Sequence, residues 1–256
     1  MKIARFSRGE IIAFGIVDDD ELVVLKGDPM FAGYDPTGER VALHDVRLLV
    51  PVIPRSKIVG VANAAFLTAK DKADVEPGEP VLFLKPNTTV VGPGDPISLP
   101  AASHDVRAEG VLGIVIGKIT KNVPVEQAEG MVLGYTVGID VTAHDLEQRD
   151  GGQLARAKSF DSFCPLGPVI DTDFDAAVAV IRGQVNGEDV QNDDTAFMRH
   201  SVAEIVSFVS GVFTLLPGDV ILTGSSGRSR AIVDGDTVLV EIPGVGVLSN
   251  PVRRSE

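Results

Sequence analysis

The sequence has one cysteine, no tryptophan and four histidines in 256 residues. A lone thiol excludes an intrachain disulfide, and with it zinc or iron–sulfur sites built from several cysteines. Basic side chains are scarce: 23 against 36 acidic ones leave a formal charge of -13. Nucleic acid and anionic membrane surfaces need concentrated Lys and Arg, so neither is an expected partner. Long apolar runs are also missing. No uncharged stretch approaches the roughly 20 residues that cross a bilayer. Only a short apolar stretch separates Met1-Lys2-Ile3-Ala4-Arg5 from Asp18-Asp19-Asp20-Glu21, so no secretory signal is read and a cytoplasmic location is expected. Dinucleotide and P-loop glycine motifs are absent, as is the Gly-x-Ser-x-Gly elbow. Val91-Gly92-Pro93-Gly94-Asp95-Pro96 is glycine-rich, but its prolines remove the amides a phosphate cradle uses, and it reads as a turn.

What is present is a 44% apolar chain cut into short runs by Gly, Pro, Asn and Asp. Strands are predicted at 11–17, 21–25, 81–84, 112–116, 132–137, 177–185, 220–223 and 237–242. Val185-Asn186-Gly187-Glu188 marks a hairpin, because Asn-Gly suits the positive φ angles of a type I′ turn. Ser201-Val202-Ala203-Glu204 has capping-box spacing, and Val202, Ile205, Val206, Val209 and Val212 repeat with helical period. A second, short helix is read from Val125. Strands outnumber helices, so the class is α+β, mostly β. A composition shift at Pro51-Val52-Ile53-Pro54 divides a small N-terminal module, 1–54, from a C-terminal domain, 55–256. Cys164, between Phe163 and Pro165, reads as a buried structural thiol. The acidic runs Asp18–Glu21 and Asn192-Asp193-Asp194 read as a solvated turn and a polar loop.

Several segments, in order, resemble the fumarylacetoacetate hydrolase family from about residue 56 to the C-terminus. They include Phe83-Leu84-Lys85-Pro86-Asn87-Thr88, Glu109-Gly110-Val111-Leu112-Gly113, Asp140-Val141-Thr142-Ala143, Arg156-Ala157-Lys158-Ser159-Phe160-Asp161 and Leu216-Pro217-Gly218-Asp219-Val220-Ile221-Leu222-Thr223-Gly224. The resemblance implies a mixed β-roll, a homodimer and an active site at one mouth of the roll. It implies a small-molecule substrate of the β-dicarbonyl or 2-oxo-acid kind. It further implies Mg²⁺ or Mn²⁺ held by three carboxylates, a His–Glu pair that activates water, and a lysine that stabilises negative charge.

The chemical positions depart from that pattern. The three carboxylate positions read Glu109, Val111 and Asp140, and valine offers no ligand. An ungapped alignment puts the catalytic pair at Thr68 and Asp71, and a one-residue slip puts Leu67 in the histidine's place; neither supplies a histidine. His144 replaces an Arg, Glu147 a Gln, and Leu154 the Trp of a Gly-Gln-Trp motif that keeps Gln153. Thr-Gly-Thr-Pro reads Thr223-Gly224-Ser225-Ser226. Scaffold motifs persist while chemical groups are exchanged, which suggests a repurposed pocket.

Lys158 matches the pocket lysine. Lys85 is either a substrate contact or structural, and Glu147, Gln153 and Ser225 stand at substrate-contacting positions. His144 supplies a replacement ligand or a general acid/base, or merely fills the Arg site; it shares a face with Asp140 if that segment turns helically. Three activities stay open. One is a divergent enzyme on an enolisable dicarbonyl or oxo-acid-like substrate, performing isomerisation, cyclisation or decarboxylation without a metal. The second is a conventional Mg²⁺-dependent acylpyruvate hydrolase or oxaloacetate decarboxylase. The third is a non-catalytic ligand-binding homologue.

Overall fold

The computed structural model describes residues 1–254 apart from 63, 65–67, 69, 71–73 and 75. In chain order the strands are β1 (Lys2–Arg8), β2 (Ile11–Asp18), β3 (Glu21–Leu25), β4 (Pro36–Ala42), β5 (Arg47–Leu49), β6 (Ile58–Ala62), β7 (Val81–Lys85), β8 (Val90–Val91) and β9 (Ile97–Leu99). They continue as β10 (Val106–Ile116), β11 (Val132–Ala143), β12 (Cys164–Asp171), β13 (Val180–Val185), β14 (Glu188–Asp194), β15 (Val220–Leu222), β16 (Thr237–Ile242) and β17 (Gly246–Arg254). The protein is mostly β, as the apolar patterning predicts.

A twelve-stranded sheet runs β4-β3-β2-β1-β12-β11-β10-β15-β6-β7, with β5 beside β1 and β8 beside β12. A five-stranded sheet runs β14-β13-β16-β17-β9. The strands of residues 1–49 are hydrogen-bonded into the large sheet through the β1–β12 pair. The two sheets enclose an apolar cluster to which Leu112, Ile139 and Val141 contribute from one and Val238, Val240 and Leu248 from the other.

Local signals read from sequence have their expected structural counterparts. The β13–β14 turn has Asn186 at φ 54 and Gly187 at φ 80, the angles an Asn-Gly hairpin requires. The Asp18–Glu21 run is an exposed hairpin turn whose Asp18 and Glu21 both bind Arg40. The helix Val202–Val212 carries the full capping box, and its Ile205, Val206 and Val209 pack against Ile114, Ile116 and Ile221. Cys164 is fully buried, and burial raises its thiol to about 12. Such a thiol stays protonated and is no nucleophile.

Two readings are corrected. Asn192-Asp193-Asp194 is not a polar loop but the end of β14, and the Asp193 side chain is buried. Asp140 and His144 share no helical face, because β11 continues to Ala143 and the helix His144–Arg149 begins only after it. Cross-strand pairing along the whole of β10 overrides the local helical option there.

The parallel pair β15–β6, which anchors one flank of the functional strands, is pinned by Asp219. Its carboxylate is fully buried and accepts from Ser56 N–H (3.1 Å), Lys57 N–H (3.1 Å), Leu216 N–H (2.9 Å), Ser56 Oγ and Lys57 Nζ (3.0 Å). Burial opposes its ionisation, but these donors outweigh burial and hold the carboxyl below the ordinary 3.8. Asp219 therefore stabilises the fold above that pH, and the contribution is lost as pH falls through the depressed folded value. Asp219→Ala is expected to lower stability by about 3 kcal/mol in urea unfolding. A change under about 0.5 kcal/mol, the size of an ordinary surface substitution, would contradict this role.

Candidate active site

β10 and β11 pair antiparallel with Glu109 opposite Asp140, Arg107 opposite Thr142 and Val111 opposite Gly138. Opposed residues project from the same face of a sheet, as do residues two apart along one strand. Glu109, Val111, Asp140 and Thr142 therefore share one face. The intervening Ala108, Leu112, Ile139 and Val141 face the core between the sheets.

Asp140 is 3% exposed. Its Oδ2 accepts from Lys158 Nζ at 2.7 Å, and Lys85 Nζ stands 2.8 Å from Oδ1. Lys158 enters just past the short helix Leu154–Ala157, to which its own N–H bonds at Leu154 O. It donates a second proton to Thr142 Oγ1 at 2.7 Å and rests 4.4 Å from the centre of the Phe83 ring. That ring lies against Gly60, where a Cβ would come within 1.9 Å of it. One proton of the Lys158 ammonium thus has no oxygen acceptor among the described residues.

Lys85 differs. All three of its protons go to backbone carbonyls, those of Val141 (2.9 Å), Lys158 (3.1 Å) and Phe163 (2.8 Å). None is aligned on Asp140, so Oδ1 is near a positive charge yet lacks a hydrogen-bond donor. This arrangement ties β7 to the Lys158 and Phe163 backbone, and leaves Lys85 no proton for a substrate. Burial pushes the Lys85 ammonium below its usual range, with the nearby Lys158 charge adding to burial and Asp140 opposing both.

The two carboxylates are driven apart. Burial would raise Asp140, but Lys158 and Lys85 overcome it and hold the carboxyl low. Glu109 is raised, first by burial and then by the Asp140 charge, against a hydrogen bond with Ser225 and the Lys158 charge. Neighbouring carboxyls with opposite shifts are the pattern in which one stays ionised and the other is the readier to carry a proton.

Val111 lies beyond Glu109 on the same face and is fully buried. It meets Gly138 beside Leu166 and Leu222, an apolar floor where the family pattern has a ligand. No group of three His, Cys, Asp or Glu converges among the described residues. Two carboxylates face two lysines here, and Asp140 already contacts both ammonium groups. Mg²⁺ and Mn²⁺ need several free oxygen ligands and surplus negative charge, and the described donors do not fit that need.

Ser225 is buried and stands beside Glu109, whose carboxyl its hydroxyl draws down against burial. His144 stands 3.6 Å from Glu147, both part-exposed. Burial lowers the His144 imidazole below 6.5, with Glu147 partly opposing. Gln153 is exposed ahead of the helix Leu154–Ala157, and Thr68 is exposed in a bend. Asp71 and Leu67 lie outside the described residues. Sequence reasoning missed Gln191, which reaches the backbone of β10 from the other sheet, and Asp193, which holds Gln191 and Ser226. Their alternating positions just after an Asn-Gly hairpin, Gln191 and then Asp193, were the available signal for an inward polar pair.

The fumarylacetoacetate hydrolase C-terminal family model matches residues 57–253, and a model described as Rv2993c-like, N-terminal, matches residues 1–51. Protein Rv2993c of Mycobacterium tuberculosis is 43% identical over 99% of this chain and 98% of its own length. A mitochondrial oxaloacetate tautomerase of Xenopus laevis is 38% identical over 81% of this chain and 69% of its own length. Among solved structures, 5-carboxymethyl-2-hydroxymuconate delta-isomerase from Mycobacterium smegmatis superposes with a TM-score of 0.93 at 42% identity, covering 100% of both chains.

If Lys85 is a structural cation, Lys85→Met removes the lysine donor from the Val141 and Lys158 carbonyls, leaves the Phe163 carbonyl only the Val141 N–H at 3.2 Å, and leaves Asp140 with one cation. The expected cost is about 3–5 kcal/mol in chemical denaturation. Near-wild-type stability with lost activity would instead make Lys85 a direct substrate contact.

Proposed function

On the premise that the chain belongs to the fumarylacetoacetate hydrolase family, we propose that it is an isomerase that moves a proton within a small enolisable 2-oxo dicarboxylate. Keto–enol tautomerisation of oxaloacetate is the simplest such reaction. The observation that carries this reading is Lys158: an ammonium locked by Asp140 and Thr142, with one proton unclaimed, on the face where Glu109 has its raised carboxyl. The names of the relatives support it, since a tautomerase and a delta-isomerase both relocate a proton and a double bond.

In the proposed reaction the Glu109 carboxylate takes a proton from the carbon beside the oxo group. The C–H electron pair becomes the new C–C double bond, and the carbonyl oxygen gains the negative charge. The Lys158 ammonium stabilises that oxygen, in a site preorganised by Asp140 and Thr142. Return of the proton to oxygen completes the enol. Because no water is activated, a threonine at 68 is no obstacle, and no step runs through a metal. Lys158, held by Asp140, supplies the positive charge that meets the developing oxyanion. Ser225 orients Glu109, while Gln153 and His144, the latter beside Glu147, meet the substrate's far carboxylate. The working unit is a cytoplasmic homodimer.

The test is the decay of oxaloacetate enol absorbance. Turnover is expected to persist in EDTA, and to fall about 10²–10³-fold in Lys158→Met. Glu109→Gln is expected to lose about 10²–10⁴-fold. Since the base is the carboxylate, kcat/KM rises with pH through a midpoint above the ordinary Glu value of 4.5. Activity restored only by Mg²⁺ or Mn²⁺, or none from wild type on any enolisable oxo acid, would overturn the reading.

A further inference from the structure

Beyond the lysines and carboxylates, the polar contacts behind Glu109 form a continuous chain. On the edge of β10 away from β11, strand β15 pairs only with residues 113–115, and Thr223 N–H bonds Leu112 O at 3.0 Å. At Gly110 no strand is present on that side. Its N–H and C=O are met instead by one side chain: Gln191 Oε1 accepts from Gly110 N–H at 2.6 Å, and Gln191 Nε2 donates to Gly110 O at 2.8 Å. The amide takes the place of one peptide of the missing strand. Residue 110 must be small for this, since a Cβ there would sit 2.8 Å from Val240 Cγ1.

Gln191 Nε2 also donates to Asp193 Oδ2 at 2.8 Å. Asp193 then holds both donors of Ser226, the N–H at 3.1 Å and the hydroxyl at 2.6 Å. Ser226 follows Ser225, whose hydroxyl stands beside Glu109 and accepts from Gly227 N–H at 3.1 Å. Upstream, Gly224 has φ +78, and a Cβ there would lie 2.0 Å from Val61 O, so that end of the loop is fixed against β6. Ser225 stands between two pins, the Gly224 approach and the Asp193 carboxylate.

We propose that Asp193, held by Gln191, is a positioning residue that keeps Ser225 on Glu109 by fixing Ser226. It touches no reacting atom and acts through the loop. One buried group therefore sets both the backbone next to Glu109 and the hydroxyl that orients its carboxyl. The kinetic consequence rests on the proton-transfer role of Glu109 proposed above; the structural consequence does not.

Two substitutions separate geometry from charge. Asp193→Asn can keep all three bonds, with its amide oxygen accepting from Gln191 and the Ser226 N–H and its NH₂ donating to the Ser226 hydroxyl. Asp193→Ala keeps none. Crystal structures are expected to show Ser225 displaced from Glu109 in the Ala variant and kept beside it in the Asn variant. In the tautomerase assay the Ala variant should lose kcat by roughly 10–100-fold, with KM changed less than about threefold, while the Asn variant stays within about threefold of wild type. In a Ser225→Ala background, Asp193→Ala should add almost nothing, because both act through one hydroxyl. An unmoved Ser225 in the Ala variant, an Asn variant as impaired as Ala, or multiplicative losses in the double variant would each overturn the proposal. Absence of wild-type turnover would refute the proton-transfer reading, and the crystal structures would still decide this one.

Discussion

A carboxylate as deeply buried as Asp140 stays ionised only when positive charge is buried with it. Here that charge is divided between two lysines with different duties. Lys85 gives every proton to backbone carbonyls and contributes to Asp140 through charge alone. Lys158 gives one proton to Asp140 and one to Thr142, and keeps one for other use. Remove Asp140 and two ammonium groups remain in a sheet interior with only the Glu109 carboxyl to answer Lys158. The opposite pKa shifts of Asp140 and Glu109, the closed β7 edge and the seating of Phe83 all depend on this one arrangement.

The arrangement also accounts for the valine at 111. Three carboxylates against two lysines would leave surplus negative charge, and a divalent cation answers it. Two carboxylates against two lysines leave none, and an apolar side chain among Leu166 and Leu222 then fills the space. The loss of a ligand and the persistence of both lysines form a single electrostatic change. It leaves a site suited to stabilising an oxyanion and shifting a proton, with water activation set aside.

Much of this was legible in the sequence. The Asn-Gly hairpin, the Ser201–Glu204 capping box and the strand cores follow from local rules and have their expected places. Of the residues named from motif position, Lys158 is hydrogen-bonded to Asp140, and Glu109 pairs across from Asp140 with Ser225 beside it. What failed were features decided across the fold. Residues 138–143 stay extended because β10 pairs with them along its length, which no local propensity reveals. Asp193 looked like a loop acid because its partners, Ser226 and the amide of Gln191, include a residue more than thirty positions away. Gln191 itself works on Gly110, eighty-one residues distant. Lys85 was left between two roles, and only the count of its carbonyl acceptors separates them.

The central claim is that Glu109 and Asp140, set among two lysines and with Val111 in place of a third carboxylate, hold no divalent cation. Titration of the purified protein with Mn²⁺, followed by electron paramagnetic resonance, tests it most directly. The account predicts no stoichiometric binding below about millimolar Mn²⁺, the range of weak oxygen-ligand sites. Stoichiometric micromolar binding that disappears in Asp140→Asn would contradict it.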